Sequence, residues 1–385
     1  MYPKSHNSSP TQGMYPSGLH PGAEGSDENR RPSQFRTMTE PFLPAAQYGQ
    51  PVQPVFFQGM TDQSPRLSLI RRAVEYSPQD MHGRKYHGFH RGVYMLPCDE
   101  QEIERLDLIH HVVTLARGHR LIHRPFHGLI DAPGPDIMRP TARILDLGCG
   151  TGFWAIEMAR YYRTCAILGV DLAAIQPANL PPNVDILPHR DYEDPWFLGE
   201  DSWDMIRLSM GAGSVKSWEN LYRKVHAHLQ PGTGYFEQVE IDFEPRWDSQ
   251  DPHPQEFTPD QPLGRWWSQL KEATQIAERP IAHNRNTEHL LKAAGFVDVE
   301  HHLIGLPLNP WSFKPGETEL GRIYNLAFRE SLYPLALAPL CRALGYTPDE
   351  VARLAADAYK QASDRNCRAF NIIHIYTARK APVGV

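Results

Sequence analysis

The residues with most chemical promise lie in one stretch, Ile144-Leu145-Asp146-Leu147-Gly148-Cys149-Gly150-Thr151-Gly152. An apolar run enters three alternating glycines, and a helical pattern begins near Phe153. Glycine permits a tight bend and leaves no Cβ between the backbone and a ligand. The helix N-terminus behind it presents unpaired N–H groups. Two phosphate-binding devices are excluded. A dinucleotide fingerprint needs a small residue where Phe153 stands, and a P-loop needs Gly-Lys-Ser/Thr, which this loop lacks. Carboxylates follow at the ends of the next two apolar runs. Asp171, about 20 residues beyond the loop, suits paired hydrogen bonds to ribose hydroxyls. Asp191 stands beside Tyr192, an acceptor for an amino group next to an aromatic face.

The pattern Asp146-x-Gly148-x-Gly150-x-Gly152 resembles motif I of the class I S-adenosylmethionine-dependent methyltransferases. That cofactor carries no phosphate, so the loop needs no Lys or Arg. The resemblance implies that Gly148, Gly150 and Gly152 admit S-adenosyl-L-methionine, with Asp146 helping to hold its ammonium directly or through water. Asp171 and Leu172 would take the ribose, and Asp191 with Tyr192 the adenine. The match then narrows. Tyr86-His87-Gly88, the run Gly92 to Glu100, Arg105-Leu106-Asp107, Phe236 to Pro245, Gly305 to Trp311 and Asn371 to Tyr376 are similar to the LaeA family of fungal methyltransferase-like regulators. This similarity runs from about residue 84 to the end. It implies a nuclear protein, present also in the cytoplasm, that joins velvet-domain proteins to control secondary-metabolite genes, development and sporulation. By analogy the segment ahead of motif I folds over the cofactor, with Tyr94, Asp99 and Arg105 as lid candidates. Their plain alternative is Tyr94 as core and Arg105 paired with Glu102 on the helix surface. Two other functional readings stay open: a small-molecule methyltransferase of secondary metabolism, and a scaffold with a vestigial pocket.

The acceptor side is less informative. After the fourth apolar run the chain reads Arg207-Leu208-Ser209-Met210-Gly211-Ala212-Gly213-Ser214, with no acid or amide to steer an amine or take its proton. Lysine and DNA-base methylation lose ground. A soft thioether needs no deprotonation, so Met210 is the candidate methyl acceptor as well as a cofactor neighbour; packing is its alternative. No metal site is expected. His119, His123 and His127 are interrupted by Pro125. His301-His302 and His226-x-His228 lack a third ligand at readable spacing. Cys149 reads as a small packing residue, and Trp266-Trp267 as core or lid aromatics.

These groups need a frame of alternating strands and helices. Strands are expected at Arg143–Leu147, Cys165–Asp171, Val184–Pro188, Trp203–Ser209, Tyr235–Ile241, Val297–Gly305 and Phe370–Ala378. Helices are expected at Asp99–Arg117, Gly152–Tyr162, Ser217–Leu229, Leu263–Glu278, Thr287–Ala294, Glu317–Leu344 and Asp349–Gln361. Such alternation means an α/β protein, a Rossmann-like class I methyltransferase fold with a mostly parallel seven-stranded sheet and helices on both faces. The expected division is a disordered tail (1–83) and a methyltransferase domain (84–385). Within the domain, 84–140 forms a lid segment, 141–245 the cofactor-binding core, and 246–385 a helical cap with the last strands.

Composition agrees. The first 80 residues hold 11 of the 35 prolines and show no apolar periodicity, so they cannot offset their ordering entropy. Removing them should leave cofactor affinity unchanged. Aliphatic and aromatic residues reach 41%, enough for a full core. The net charge of −6 provides no field for gathering phosphate, so direct nucleic-acid binding is not expected. No apolar run approaches the roughly 18 residues of a membrane helix. Five cysteines without a C-x-x-C pair exclude a disulfide framework and suit a reducing compartment.

Overall fold

A computed structural model describes residues 76–126, 141–248, 256–382 and 384. The expected tail up to residue 75 and the Pro-rich stretch 127–140, with His127, lie outside the described residues. The described residues begin at Tyr76, ahead of the expected boundary at 84. Strand β1 (Gln79–Met81) pairs antiparallel with β2 (Arg84–Tyr86) across it.

Helix α1 (Glu100–Ala116) begins where Asp99 accepts the Glu102 N–H, satisfying a donor the first turn leaves unpaired. The same carboxylate takes a two-point bond from Arg84 at 2.7 Å each. Asp99 thus fastens β2 to α1. On the next turn, Arg105 and Glu102 do pair, but not at the surface: they are 4% and 1% exposed, and Arg105 also reaches Ser331. Two of the three lid candidates are therefore structural cross-links.

The main sheet contains β3 (Ala142–Leu147), β4 (Cys165–Asp171), β5 (Val184–Pro188), β6 (Met205–Ser209), β7 (Tyr235–Trp247), β8 (Phe296–Pro307) and β9 (Ala369–Lys380). Their order is β5-β4-β3-β6-β7-β9-β8. All neighbours from β5 to β7 are parallel; β9 runs antiparallel to β7 and β8. The order reverses beside β3, with β4 on one flank and β6 on the other, which opens a crevice at the carboxyl ends of β3 and β6. β7 extends past the expected Ile241. Pro245 cannot donate to a ladder, and the register shift between Asp242 and Arg246 accommodates it.

Helices α2 (Phe153–Tyr161), α3 (Trp218–His228), α4 (Pro262–Ile276), α5 (Thr287–Ala293), α6 (Pro315–Pro339) and α7 (Pro348–Ala362) cover the sheet. The expected single helix to Leu344 becomes α6 and a π turn, Leu340–Leu344. Pro339 contributes no N–H there, so the regular ladder gives way. Around β7, Val239, Ile241 and Phe243 meet Trp266 and Leu270 of α4, Phe328 and Leu332 of α6, and Val351 of α7 in the largest core. Trp266 and Trp267 are core aromatics. A second core joins β6, β7 and β8 to α3 and α5 through Tyr222, Phe236 and Phe296, and a third packs α2 on β3 and β4. No described helix is long and apolar enough to cross a membrane.

Candidate functional site

The bend after β3 is held in the left-handed region, with φ +65° at Gly148, +57° at Gly150 and +76° at Gly152. A non-glycine residue is strained at all three positions. The space around them differs. A Cβ on Gly148 would stand 3.2 Å from the Tyr192 ring, and one on Gly152 would stand 2.8 Å from Ile186 Cδ1. At Gly150 the nearest atom is 3.7 Å away, so backbone conformation, not steric intrusion, requires glycine there. Thr151 donates to Asp107 of α1 at 2.7 Å, and Gln176 donates to the Gly150 carbonyl at 2.6 Å. These two anchors were not assigned from sequence. Asp107 lies in a family-like run, but nothing local assigns it a partner 44 residues away.

Asp171 points at this bend. One carboxylate oxygen accepts the Gly150 N–H and the other the Ala173 N–H, each at 2.8 Å. Burial pushes its carboxyl up to about 6 against the pull of those bonds. Asp146 behaves otherwise. It is fully buried, and Arg207, its neighbour across the β3–β6 ladder, donates to Oδ1 at 2.8 Å. Burial raises the Asp146 carboxyl and Arg207 opposes the rise. The Arg207 guanidinium also lies 4.3 Å from the centre of the Trp154 ring. Of the Asp146 oxygens, expected to help hold a ligand ammonium directly or through water, Oδ1 is answered within the sheet and Oδ2 lacks a protein partner.

Beyond β4 and β5 opens a cleft of about 590 Å³, lined by Ala173, Ile175, His189 and Arg190 and closed by His87 and Cys98 of the N-terminal segment. Tyr76 belongs to the same wall, its ring against Phe89 and His189. Leu172 is half-buried beside Asp171. Tyr192 is buried, and its hydroxyl bonds to Ser214 at 2.5 Å. Asp191 accepts the Glu193 N–H and lies 3.4 Å from His90 Nδ1, so it faces the N-terminal segment. Tyr94 is half-buried with its ring 5.5 Å from His87, and burial, with Glu102 and Asp171 adding to it, holds its phenol well above the usual range.

The stretch 207–214 carries no acid or amide of its own. An acid does reach the turn after β6, from β7. Glu240 accepts the Gly211 N–H on one oxygen at 3.0 Å and the Ala212 N–H on the other at 3.1 Å, while Gln238 donates to the first at 3.0 Å. Burial pushes Glu240 up to about 7. Met210 heads this turn with φ +58°, its N–H bonded to the Val239 carbonyl at 2.8 Å. The segment between α4 and α5 covers the turn: Gly213 N–H donates to the Pro280 carbonyl at 2.9 Å, and Arg279 bonds to Glu193 and the Ser214 carbonyl. Glu240 was missed because the strand carrying it is separated by a whole helix from the turn it serves.

His119 and His123 lie outside helix and strand, as expected of loop histidines. His119 leaves the helix at φ +63°, and the His123 ring lies against His302. Around His301, by contrast, His283 and His374 gather. Cys149 is buried with its thiol held high by burial, a packing residue.

A family model described as "Methyltransferase domain" matches residues 117–301. A secondary metabolism regulator laeA from Aspergillus flavus is 46% identical over 325 residues, 82% of each chain. A protein-methionine methyltransferase laeA from Emericella nidulans is 45% identical over 348 residues, 90% of this chain and 87% of that relative. Among solved structures, a Haemonchus contortus phosphoethanolamine N-methyltransferase 2 in complex with S-adenosyl-L-methionine aligns at 17% identity and TM-score 0.39, covering 64% of this chain and 50% of that one.

Proposed function

Starting from a chain that belongs to the LaeA family and is an S-adenosylmethionine-dependent methyltransferase, we propose that it methylates a methionine thioether, with Met210 as its own acceptor, and acts as a nuclear regulator alongside velvet-domain proteins. The observation that carries the site is the Asp171 carboxylate fastened to the Gly150 N–H at the mouth of a side-chain-free bend. The residues present fit the cofactor: the bend leaves open space beside Gly150, and the buried Asp146 Oδ2 behind it has no protein partner. Gly148, Gly150 and Gly152 would face its amino-acid end, Asp171 with Leu172 its ribose, and Asp191 with Tyr192 its adenine, with Tyr94 closing from the N-terminal side. When bound, the cofactor supplies a methyl group on a sulfonium sulfur. The protein's share is alignment and exclusion of water. A thioether acceptor offers a lone pair and has no proton to lose, so no general base is required. This agrees with Glu240, whose oxygens are both occupied by N–H donors. The name of the Emericella nidulans relative supports a methionine acceptor, and family membership supports the regulatory role.

Incubation with isotope-labelled cofactor followed by tryptic mass spectrometry tests the acceptor. One added methyl is expected on the Met210 peptide and none in Met210→Leu; an unmodified peptide from cofactor-bound protein ends the Met210 reading. Co-purification with velvet-domain proteins, and its persistence in Gly148→Ala, tests the regulatory part.

A further inference from the structure

We propose that His283, His301 and His374 form a site for one divalent first-row transition ion of the zinc class. The three imidazoles come from separate elements. His301 on β8 and His374 on β9 are diagonal neighbours on one sheet face, since His301 stands opposite Tyr376 and His374 opposite Leu303. His283 arrives from the segment between α4 and α5, its ring stacked on His374 at 3.6 Å between centroids. One nitrogen of each ring lies within 4.8 Å of the others.

The outward contacts say which nitrogens remain for an ion. His283 Nε2 bonds to the Tyr376 hydroxyl at 2.7 Å. His301 Nδ1 faces Glu288 at 3.5 Å, and His374 Nε2 faces Asp242 at 3.8 Å. An oxygen behind a ligating imidazole is the usual device for fixing ring orientation and tautomer at a metal. His283 has it as a hydrogen-bond partner, whereas His374 Nε2 has only the charge contact with Asp242. That leaves His283 Nδ1, His301 Nε2 and His374 Nδ1 for the centre. The last two are 2.8 Å apart. Tetrahedral ligation at about 2.0–2.1 Å puts nitrogens about 3.3 Å apart, so this pair must open by about 0.5 Å. His283 must then swing off the His374 face, and it sits outside any helix or strand. Ligation needs neutral rings, and burial holds His283 down to about 4 and His301 below its ordinary value. Glu288 and Asp242 favour a cation; Arg246, paired with Asp242 at 2.5 Å, offsets part of that attraction. The segment that carries His283 also holds the acceptor turn through the Pro280 carbonyl. Ligation would tie that cover to the sheet.

The full chain, stripped with chelator, is titrated with Co²⁺ and then Zn²⁺ without cofactor, so the result is independent of the methyl-transfer reading. One equivalent of Co²⁺ with the visible bands of a four-coordinate ion is expected, displaced by one equivalent of Zn²⁺. Loss of that equivalent is expected in His283→Ala and His301→Ala, and its retention in His289→Ala, an exposed control. Circular dichroism checks folding, and His283→Gln stands in for a variant that fails to fold. Absence of stoichiometric uptake, or bands that survive in the folded His283 and His301 variants, overturns the site.

Discussion

The two bends at the carboxyl edge of the sheet use one device to opposite ends. Asp171 and Glu240 each accept two backbone N–H groups, and burial raises both carboxyls, to about 6 and about 7. Access separates them. Asp171 is half-buried, which under the proposed function lets a ligand hydroxyl replace an N–H partner. Glu240 is 2% exposed beneath the turn it holds. The bends differ likewise: three glycines make room after β3, while a left-handed methionine fills the turn after β6. A carboxylate cradled by amides thus reads as a binding group or a positioning group according to burial alone.

The buried Asp146–Arg207 pair stands between the two bends, and breaking it should have the largest effect. Arg207→Leu leaves the Asp146 charge without its partner and should cost about 3–5 kcal/mol in urea unfolding. A loss under about 1 kcal/mol would mean that the halves are not joined there. Gly148→Ala comes next. Left-handed strain of about 1–2 kcal/mol and a Cβ against Tyr192 should weaken S-adenosylmethionine binding about 10- to 100-fold by calorimetry. The same substitution at Gly150, where space is open, should act through strain alone and weaken binding less.

Glu240→Gln sharpens the comparison through pH. A carboxyl raised in the folded state binds its proton more tightly there than in the unfolded chain. Its contribution to stability is complete below about 4.5 and is lost as pH climbs to about 7. Wild type should therefore lose stability relative to Glu240→Gln across that window, by of order 2 kcal/mol. Parallel denaturation curves at every pH would show that Glu240 stays ionised. The smallest effect concerns the N-terminal cut. Removal of residues 1–75 should leave cofactor affinity unchanged, whereas removal of 1–80 takes away Tyr76, Ser77 and Pro78 of the cleft wall and should weaken it. The expectation that all 80 are dispensable predicts the opposite result.

Much of the frame was legible. β4 and β5 fall at the expected bounds, and the cap Asp99 and the turn glycines stand where local rules put them. The β1–β2 hairpin was not, because three-residue strands carry too little periodicity to read. On the site, the glycine bend and Asp171 were legible because their offsets follow from one β-α-β unit. Arg105 and Glu102 were recognisable as neighbours one helical turn apart, but their burial depended on where α6 came to rest.

By itself, the sequence determined whatever acts over a few residues: glycine at positive φ, a carboxylate at a helix start, apolar runs that must become buried strands. Those constraints are steric and local. Only the tertiary structure decided partners chosen by strand pairing and helix packing. Asp146 meets Arg207 across 61 positions, Arg117 meets Glu237 across 120, and His301 meets His374 across 73. No spacing rule reaches that far, because which strands become neighbours is settled by the burial of the whole sheet rather than by any one segment.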